Sequence, residues 1–399
     1  RAAFEGTGAP VEQFGRQILR DCEVVVDALF GTGLEREVEG EARAAIEAMN
    51  DCGRPVLALD LPSGLHADSG RILGAAVKAD ATVSFVALKA GQFTGCGPEH
   101  CGEIFYHDLG VPPALGARIA APARRLTRAA VHGVLSRRPR HLHKGEAGRV
   151  LVIGGQPGMA GAARLAGEAA YRAGAGLVVV LTHPQHAATL NVACPELIVA
   201  AAAHGQEARA FFPQARVIAV GPGLGQDAWG GELWQAARAA GLPLVVDADA
   251  LHLLAADPER CADWVLTPHP GEASRLLGCS TAEVQHDRYA AARAIATRYG
   301  GVCVLKGCGT LIIQDAADCI YVCDRGHPGM ASGGVGDVLT GSIAGLLAQG
   351  LAPPDAARLA VWAHAGAGDA VAARQGEIGL LASDLFDFLP AELNRVTGA

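Results

Sequence analysis

The run Gly329 to Asp337, Gly-Met-Ala-Ser-Gly-Gly-Val-Gly-Asp, leads directly into Val-Leu-Thr-Gly-Ser-Ile-Ala-Gly-Leu-Leu-Ala. A glycine-rich turn therefore opens onto a helix whose first turn carries an aspartate. Small side chains let backbone N–H groups converge on an anion, and the positive end of the helix dipole strengthens that hold. Asp337 would stand beside a bound phosphate, placed to take the proton of a hydroxyl. Glycines ahead of a helix also mark plain tight turns, so this one motif does not decide between them.

Further residues of the same kind follow short apolar runs. Val150 to Ile153 runs into Gly154-Gly155-Gln156-Pro157-Gly158-Met159-Ala160-Gly161, a loop without the Gly-x-Gly-x-x-Gly spacing of a dinucleotide site. Gly221-Pro222-Gly223-Leu224-Gly225 follows Val217 to Val220; it is either a rigid turn or bare backbone for a planar ligand. Asp247-Ala248-Asp249 follows Leu244 to Val246, and such carboxylates bind hydrated Mg²⁺ or cap a helix, with capping the expectation for Asp249. In Thr267-Pro268-His269-Pro270-Gly271-Glu272 two prolines stiffen the backbone around His269, leaving its ring to meet a substrate. Lys306-Gly307-Cys308-Gly309-Thr310 adds a cation and small backbone near the expected phosphate.

These motifs need elements to hold them at one edge, and the chain supplies the pattern. Apolar runs ending in Gly, Asp or Pro alternate with Ala-rich stretches of helical length, as in parallel strands joined by crossover helices. One group of expected strands covers 24–29, 56–61, 82–88 and 104–106. A second covers 150–153, 177–181, 197–200, 217–220, 244–246, 265–266 and 302–305, then a hairpin over 311–322. Between the groups, residues 121–142 carry six arginines, two prolines and no strand signal. They read as a linker between a domain at 1–120 and another at 143–399. In open parallel sheets ligands lie beyond the carboxyl ends of the strands, where nearly every motif above falls.

The 399 residues are half hydrophobic and 19% charged, with a net charge of −8, so no basic footprint for nucleic acid exists. No apolar stretch is long enough to span a membrane and no leader opens the chain, so a cytoplasmic protein is expected. Eleven cysteines, an odd and scattered set, fit reduced thiols. Cys96, His100 and Cys101 lack a second ligand pair at zinc-site spacing. The chain opens at Arg1 in what reads as a helix-rich segment, as a fragment would.

In order and spacing, His143-Lys144-Gly145, Gly221 to Gly225, Asp247 to Leu251, Thr267 to Glu272, Lys306-Gly307 and Gly334-Val335-Gly336-Asp337 resemble the ADP- or ATP-dependent NAD(P)H-hydrate dehydratase family from residue 143 onward. The resemblance implies a ribokinase-like α/β fold of three αβα layers. It implies contacts to the hydrated nicotinamide nucleotide from Ala162, Gly223, His269 and Asp337. Lys306, Gly307, Cys308, Gly309, Thr310 and Gly336 would hold ADP or ATP, with Mg²⁺ on the phosphates.

Asp27-Ala28-Leu29-Phe30-Gly31-Thr32-Gly33 and Asp60-Leu61-Pro62-Ser63-Gly64 are similar to the NAD(P)H-hydrate epimerase domain fused to that dehydratase in bifunctional repair enzymes. That likeness implies a Rossmann-like αβα domain, here partial. Asp27 and Ser63 would ligate K⁺, Gly31 to Glu37 would line the substrate, and Asp60 would act in epimerisation. The family's Asn-Asn-Gly-Gly-Asp loop has no counterpart here, which leaves that site incomplete.

The expected activity is nucleotide-dependent dehydration of the S-hydrate of NAD(P)H, with Asp337 as base, in a homo-oligomer that binds neither nucleic acid nor membrane. A vitamin-precursor or sugar kinase of the same superfamily, and a nucleotide-binding sensor without turnover, are the alternatives.

Overall fold

The structure, a computed structural model, describes residues 11–116 and 118–398. The helix-rich start read at Arg1 lies outside the described residues. Contacts divide the chain into two units, Arg1–Ala120 and Ala121–Ala399.

In the first unit, β1 (Val25–Asp27), β2 (Val56–Leu59), β3 (Ala81–Phe85) and β4 (Glu103–His107) form a parallel sheet in that order. Helix α1 (Gly40–Asp51) buries Ile46 and Met49 against Val25, Val56 and Ala58 on one face. On the other face Val26 and Phe105 are about half exposed.

In the second unit, ten strands lie in the order β5-β14-β13-β12-β11-β10-β9-β6-β7-β8. They are β5 (Ala123–Arg125), β6 (Arg149–Ile153), β7 (Leu177–Thr182), β8 (Ile198–Ala201), β9 (Val217–Val220), β10 (Leu244–Val246), β11 (Trp264–Leu266), β12 (Val302–Leu305), β13 (Thr310–Gln314) and β14 (Ile320–Cys323). The sheet is parallel except where β12, β13 and β14 pair antiparallel, which includes the expected hairpin. The segment 121–142 departs from a plain linker, because β5 pairs with β14 at the sheet's edge. Its Arg124 and Arg125 are exposed. An edge strand with polar side chains hydrogen-bonds through its backbone and leaves no apolar signature.

Strands such as Val-Leu-Val-Ile read as unbroken apolar runs because both faces are covered. Val150, Val152, Val178, Val180 and Val265 pack on the helices α2 (Ala160–Arg172), α7 (Val335–Ala348) and α8 (Pro353–Gln375). On the opposite face Trp264 meets Trp234 of α3 (Ala228–Arg238) edge to face at 5.8 Å. Helices α4 (Ala248–Ala256), α5 (Pro270–Leu277) and α6 (Arg288–Tyr299) follow β10, β11 and precede β12.

The helix that carries Asp337 is fixed by close backbone approach. A Cβ on Gly341 would sit 2.0 Å from Ala166 O, and one on Gly345 would sit 2.5 Å from Ala170 O. Only hydrogen at those positions lets α7 settle on the alanine face of α2. Between β6 and β9 the chain reverses its direction of growth across the sheet. The loops after these two strands therefore flank the cleft expected of a ligand.

Candidate active site

Gly334 caps α7 with φ 92°, a conformation that a residue with a Cβ resists. Its turn presents the N-terminal amides of α7, with Asp337 in the first turn. A Cβ on Gly336 would lie 3.3 Å from Lys306 Nζ and 3.9 Å from Asp247 Oδ2, so three of the expected motifs meet here.

Lys306 is the hub. Its Nζ donates to Asp247 Oδ1 at 2.7 Å and lies 3.7 Å from Glu272 Oε2. The other oxygen of Asp247 accepts from Thr340 Oγ1 at 2.7 Å. Lys306 N donates to Pro268 O at 2.9 Å, tying the ends of β11 and β12 together. Burial pulls the Lys306 ammonium down, but Asp247 and Glu272 outweigh that and hold its pKa above the ordinary value.

The acids feel the crowding in the opposite sense. Burial, and then the charge of Asp247, push Asp337 up from 3.8 to about 7, despite Lys306. Burial likewise raises Glu272 to about 7. A carboxyl poised near neutrality can both take and release a proton at working pH.

His269 is the cap of α5. Its Nδ1 accepts from Gly271 N at 2.9 Å and Glu272 N at 3.3 Å, while Glu272 Oε2 accepts from His269 N at 2.7 Å. Burial and then Lys306 lower its pKa, and its Nε2 lies 3.4 Å from Glu272 Oε1.

Asp247 and Asp249 do not act as a pair. Ala248 takes φ 47°, and the two carboxylates part. Asp249 does not cap α4, contrary to expectation; Asp247 occupies the cap position. Asp249 instead accepts from Gly225 N at 2.8 Å and pins the glycine loop after β9. That loop reads as a rigid turn made by its own neighbours. A Cβ on Gly223, at φ 59°, would lie 2.7 Å from Met159 O and 3.3 Å from Ala162 Cβ. The fold thus brings Ala162 and Gly223 side by side.

The loop Lys306 to Thr310 is shaped from below by Arg288. This arginine is 1% exposed and donates to Leu305 O, Lys306 O and Gly309 O at 3.2–3.4 Å. Thr310 Oγ1 donates to Gly307 O at 3.1 Å, and Cys308 is exposed on the loop. Arg288, Thr340 and His364, whose ring lies 2.9 Å from Val335 O, are absent from the sequence-based set. Thr340 had a signal, since it falls three residues after Asp337 on the same helix face. Arg288 had none.

In the first unit, Asp27 and Ser63 meet at the carboxyl ends of β1 and β2. Asp27 accepts from Ser63 N at 2.7 Å and Ser63 Oγ at 2.6 Å, and both residues are 1% exposed. Ser63 Oγ also lies within 3.3 Å of Phe30 O. Among the described residues no cation pairs with Asp27, which also accepts from Leu29 N at 3.3 Å. Asp60 sits at φ 70°, a strained conformation for a residue with a side chain. Its Oδ1 accepts from Phe85 N and from Lys89 Nζ, and Gly31 faces its other oxygen. Glu37 is not part of that group. It is exposed, turns toward Gly74, and lines a cavity of about 590 Å³ with Phe30, Leu34 and Arg36. Among the described residues no three His, Cys, Asp or Glu side chains gather as a ready-made metal site.

Residues 150–391 match the family described as NAD(P)H-hydrate dehydratase, more than half of the chain. The chain belongs to that family. Residues 3–91 match the YjeF-related protein N-terminus. The bifunctional NAD(P)H-hydrate repair enzyme Nnr of Coxiella burnetii is 46% identical over 98% of this chain and 80% of its own length. The Escherichia coli enzyme of that name is 44% identical over 93% of this chain and 72% of its own. Among solved structures, the ADP/ATP-dependent NAD(P)H-hydrate dehydratase of Bacillus subtilis, co-crystallised with ATP/Mg²⁺, superposes with a TM-score of 0.61 at 30% identity. It covers 69% of this chain and all of its own. A ribokinase-like superfamily protein from Enterococcus faecalis gives 0.63, also at 30%, covering 70% of this chain and 98% of its own. The ribokinase-like fold read from the motifs is the fold of this family.

Proposed function

We propose that the chain repairs hydrated nicotinamide nucleotides by ADP- or ATP-dependent dehydration of the S-hydrate. The observation that carries this reading is the meeting of Asp337, raised to about 7, with Lys306, Gly336 and the N-terminus of α7.

Water leaves carbon poorly and phosphate leaves well, so the ring hydroxyl must first be phosphorylated. Asp337 accepts the hydroxyl proton as the oxygen attacks the terminal phosphoryl, whose bridging P–O bond breaks to release AMP from ADP or ADP from ATP. The α7 amides and Lys306 meet the charge that develops on the phosphoryl oxygens, where positioning and electrostatics dominate the rate. The ring C–O bond then breaks with its electrons leaving on phosphate, the adjacent carbon gives up a proton, and the conjugated ring is restored. His269, Ala162 and Gly223 line the nicotinamide side, and the loop Lys306 to Thr310 takes the adenine nucleotide. Mg²⁺ would be held chiefly through the nucleotide's phosphates, with Asp247 or Glu272 supplying a hard oxygen, and would help neutralise the transferring phosphoryl group.

In the first unit, Asp27, Ser63 and the Phe30 carbonyl suit K⁺, with Asp60 and Lys89 beside the substrate. That geometry supports a relation to the epimerase that exchanges the R- and S-hydrates. No helix among the described residues is long and apolar enough to cross a membrane.

The test is to incubate purified chain with the S-hydrate, Mg²⁺ and either nucleotide. Recovery of reduced-ring absorbance only when nucleotide is present supports the reading. Accumulation of a stable phosphorylated alcohol would instead make the chain a kinase of the same superfamily.

A further inference from the structure

Beyond His269 the substrate side continues into a cluster in which Asp249 joins three residues, Gln226, His252 and Arg275, that no motif included. Asp249, which holds the Gly225 amide, also accepts from Gln226 Nε2 at 3.1 Å. Gln226 Nε2 is 2.6 Å from His252 Nδ1. Arg275 Nη1 closes the chain, 2.8 Å and 2.9 Å from the two ring nitrogens of His252.

Arg275 stands out because of what it does not touch. It forms no ion pair, and its Nε and Nη2 have no hydrogen-bond partner among the described residues. Most other arginines of the second unit answer an acid or a backbone carbonyl, as Arg325 answers Glu392 and Asp369 and Arg298 answers Leu276 O. Arg275 is exposed in the last turn of α5, and its guanidinium is held in place by a half-buried ring. The titratable groups that feel its charge are His252 and His269. Burial and Arg275 keep His252 below its ordinary pKa, so the ring adds no second positive charge. A guanidinium whose Nε–Nη2 edge has no partner among the described residues is built to take a phosphate in forked geometry.

We propose that Arg275, braced by His252, is the specificity residue that receives a phosphate of the hydrated dinucleotide, beyond the ring site at Gly223 and His269. This rests on the dehydratase reading above. The dinucleotide offers two sources of that chemistry: the pyrophosphate, present in both hydrates, and the 2′-phosphate, present only in that of NADPH.

The experiment measures kcat and KM of wild type, Arg275→Gln, Arg275→Lys and His252→Asn with both S-hydrates at saturating nucleotide. Arg275→Gln is expected to raise hydrate KM about tenfold, with kcat within about twofold and nucleotide KM unchanged, as for loss of uniform binding. Arg275→Lys recovers part of the loss, and His252→Asn shows a smaller rise. A rise confined to the NADPH hydrate assigns the 2′-phosphate, and an equal rise for both assigns the pyrophosphate. Unchanged KM for both hydrates, or a rise in nucleotide KM instead, overturns the proposal while wild-type turnover leaves the dehydratase reading standing. Absence of turnover in wild type would strike that reading itself. Because Arg275 is exposed, thermal unfolding of the variants should match wild type, separating the effect from misfolding.

Discussion

Replacing Asp337 by asparagine should cut turnover by orders of magnitude and, above neutral pH, make the protein more stable. The carboxyl is raised from 3.8 to about 7. Between those values the folded protein keeps a proton that the unfolded chain has released. Stability therefore falls as pH rises from about 4 to about 7, then levels off. At about 1.4 kcal/mol per pH unit, holding this group ionised in the folded state costs up to about 4 kcal/mol. Asparagine is never ionised, but its introduction also deprives Lys306 of a neighbouring negative charge. About half the ceiling, roughly 2 kcal/mol, is the expected net gain at pH 8, or on the order of 5 °C in Tm for a unit of this size. Below pH 4 the two proteins should melt together. Turnover should fall by ~10²–10⁴, the usual contribution of a positioned base. Thermal unfolding at several pH values, paired with the absorbance assay, reads both effects. An asparagine variant with near wild-type turnover, or one that melts below wild type at pH 8, would refute the reasoning.

Activity of the wild type should decline below about pH 7, as Asp337 and Glu272 protonate; a flat kcat/KM profile between pH 6 and 8 would contradict that assignment. Lys306→Met strands Asp247 and Glu272 without their cation and should destabilise the protein by about 3–5 kcal/mol in denaturant unfolding, whereas unchanged stability would show the pair to be solvated. Gly223→Ala drives a Cβ to 2.7 Å from Met159 O at φ 59°, and should raise hydrate KM by about tenfold or more while nucleotide KM stays put. In the first unit, K⁺ should raise the thermal stability of wild type but not of Asp27→Ala; equal effects of K⁺ on both would remove Asp27 as its ligand.

Much of this architecture could be read from the chain because a parallel sheet covered on both faces writes itself as apolar runs. Val150 to Ile153 and Val217 to Val220 are that signal, and the loops after them carry the glycines. Strand β5 left no such trace, since its pairing runs through backbone and its arginines face water. The motif residues Lys306, Gly336 and Asp337 converge because each follows a strand end or opens a helix at the same edge. The division of labour among them was not legible. Sequence read Asp249 as a helix cap and left Asp247 between capping and Mg²⁺, yet the positive φ of Ala248 sends Asp247 to Lys306 and Asp249 to Gly225. Arg288 lies eighteen residues before the loop it shapes, and its contacts are to backbone carbonyls, which no side-chain pattern records. Glu37 lies in a segment beside Asp60, but the turn of the chain directs it to Gly74.

The claim at the centre is that the hydroxyl oxygen passes through a phosphate ester before it leaves the ring. Preparing the S-hydrate with oxygen-18 in that hydroxyl and analysing the inorganic phosphate by mass spectrometry follows the atom itself. One label in each phosphate released, matched to each reduced ring formed, is the predicted result. Label recovered in water, with unlabelled phosphate, would contradict it.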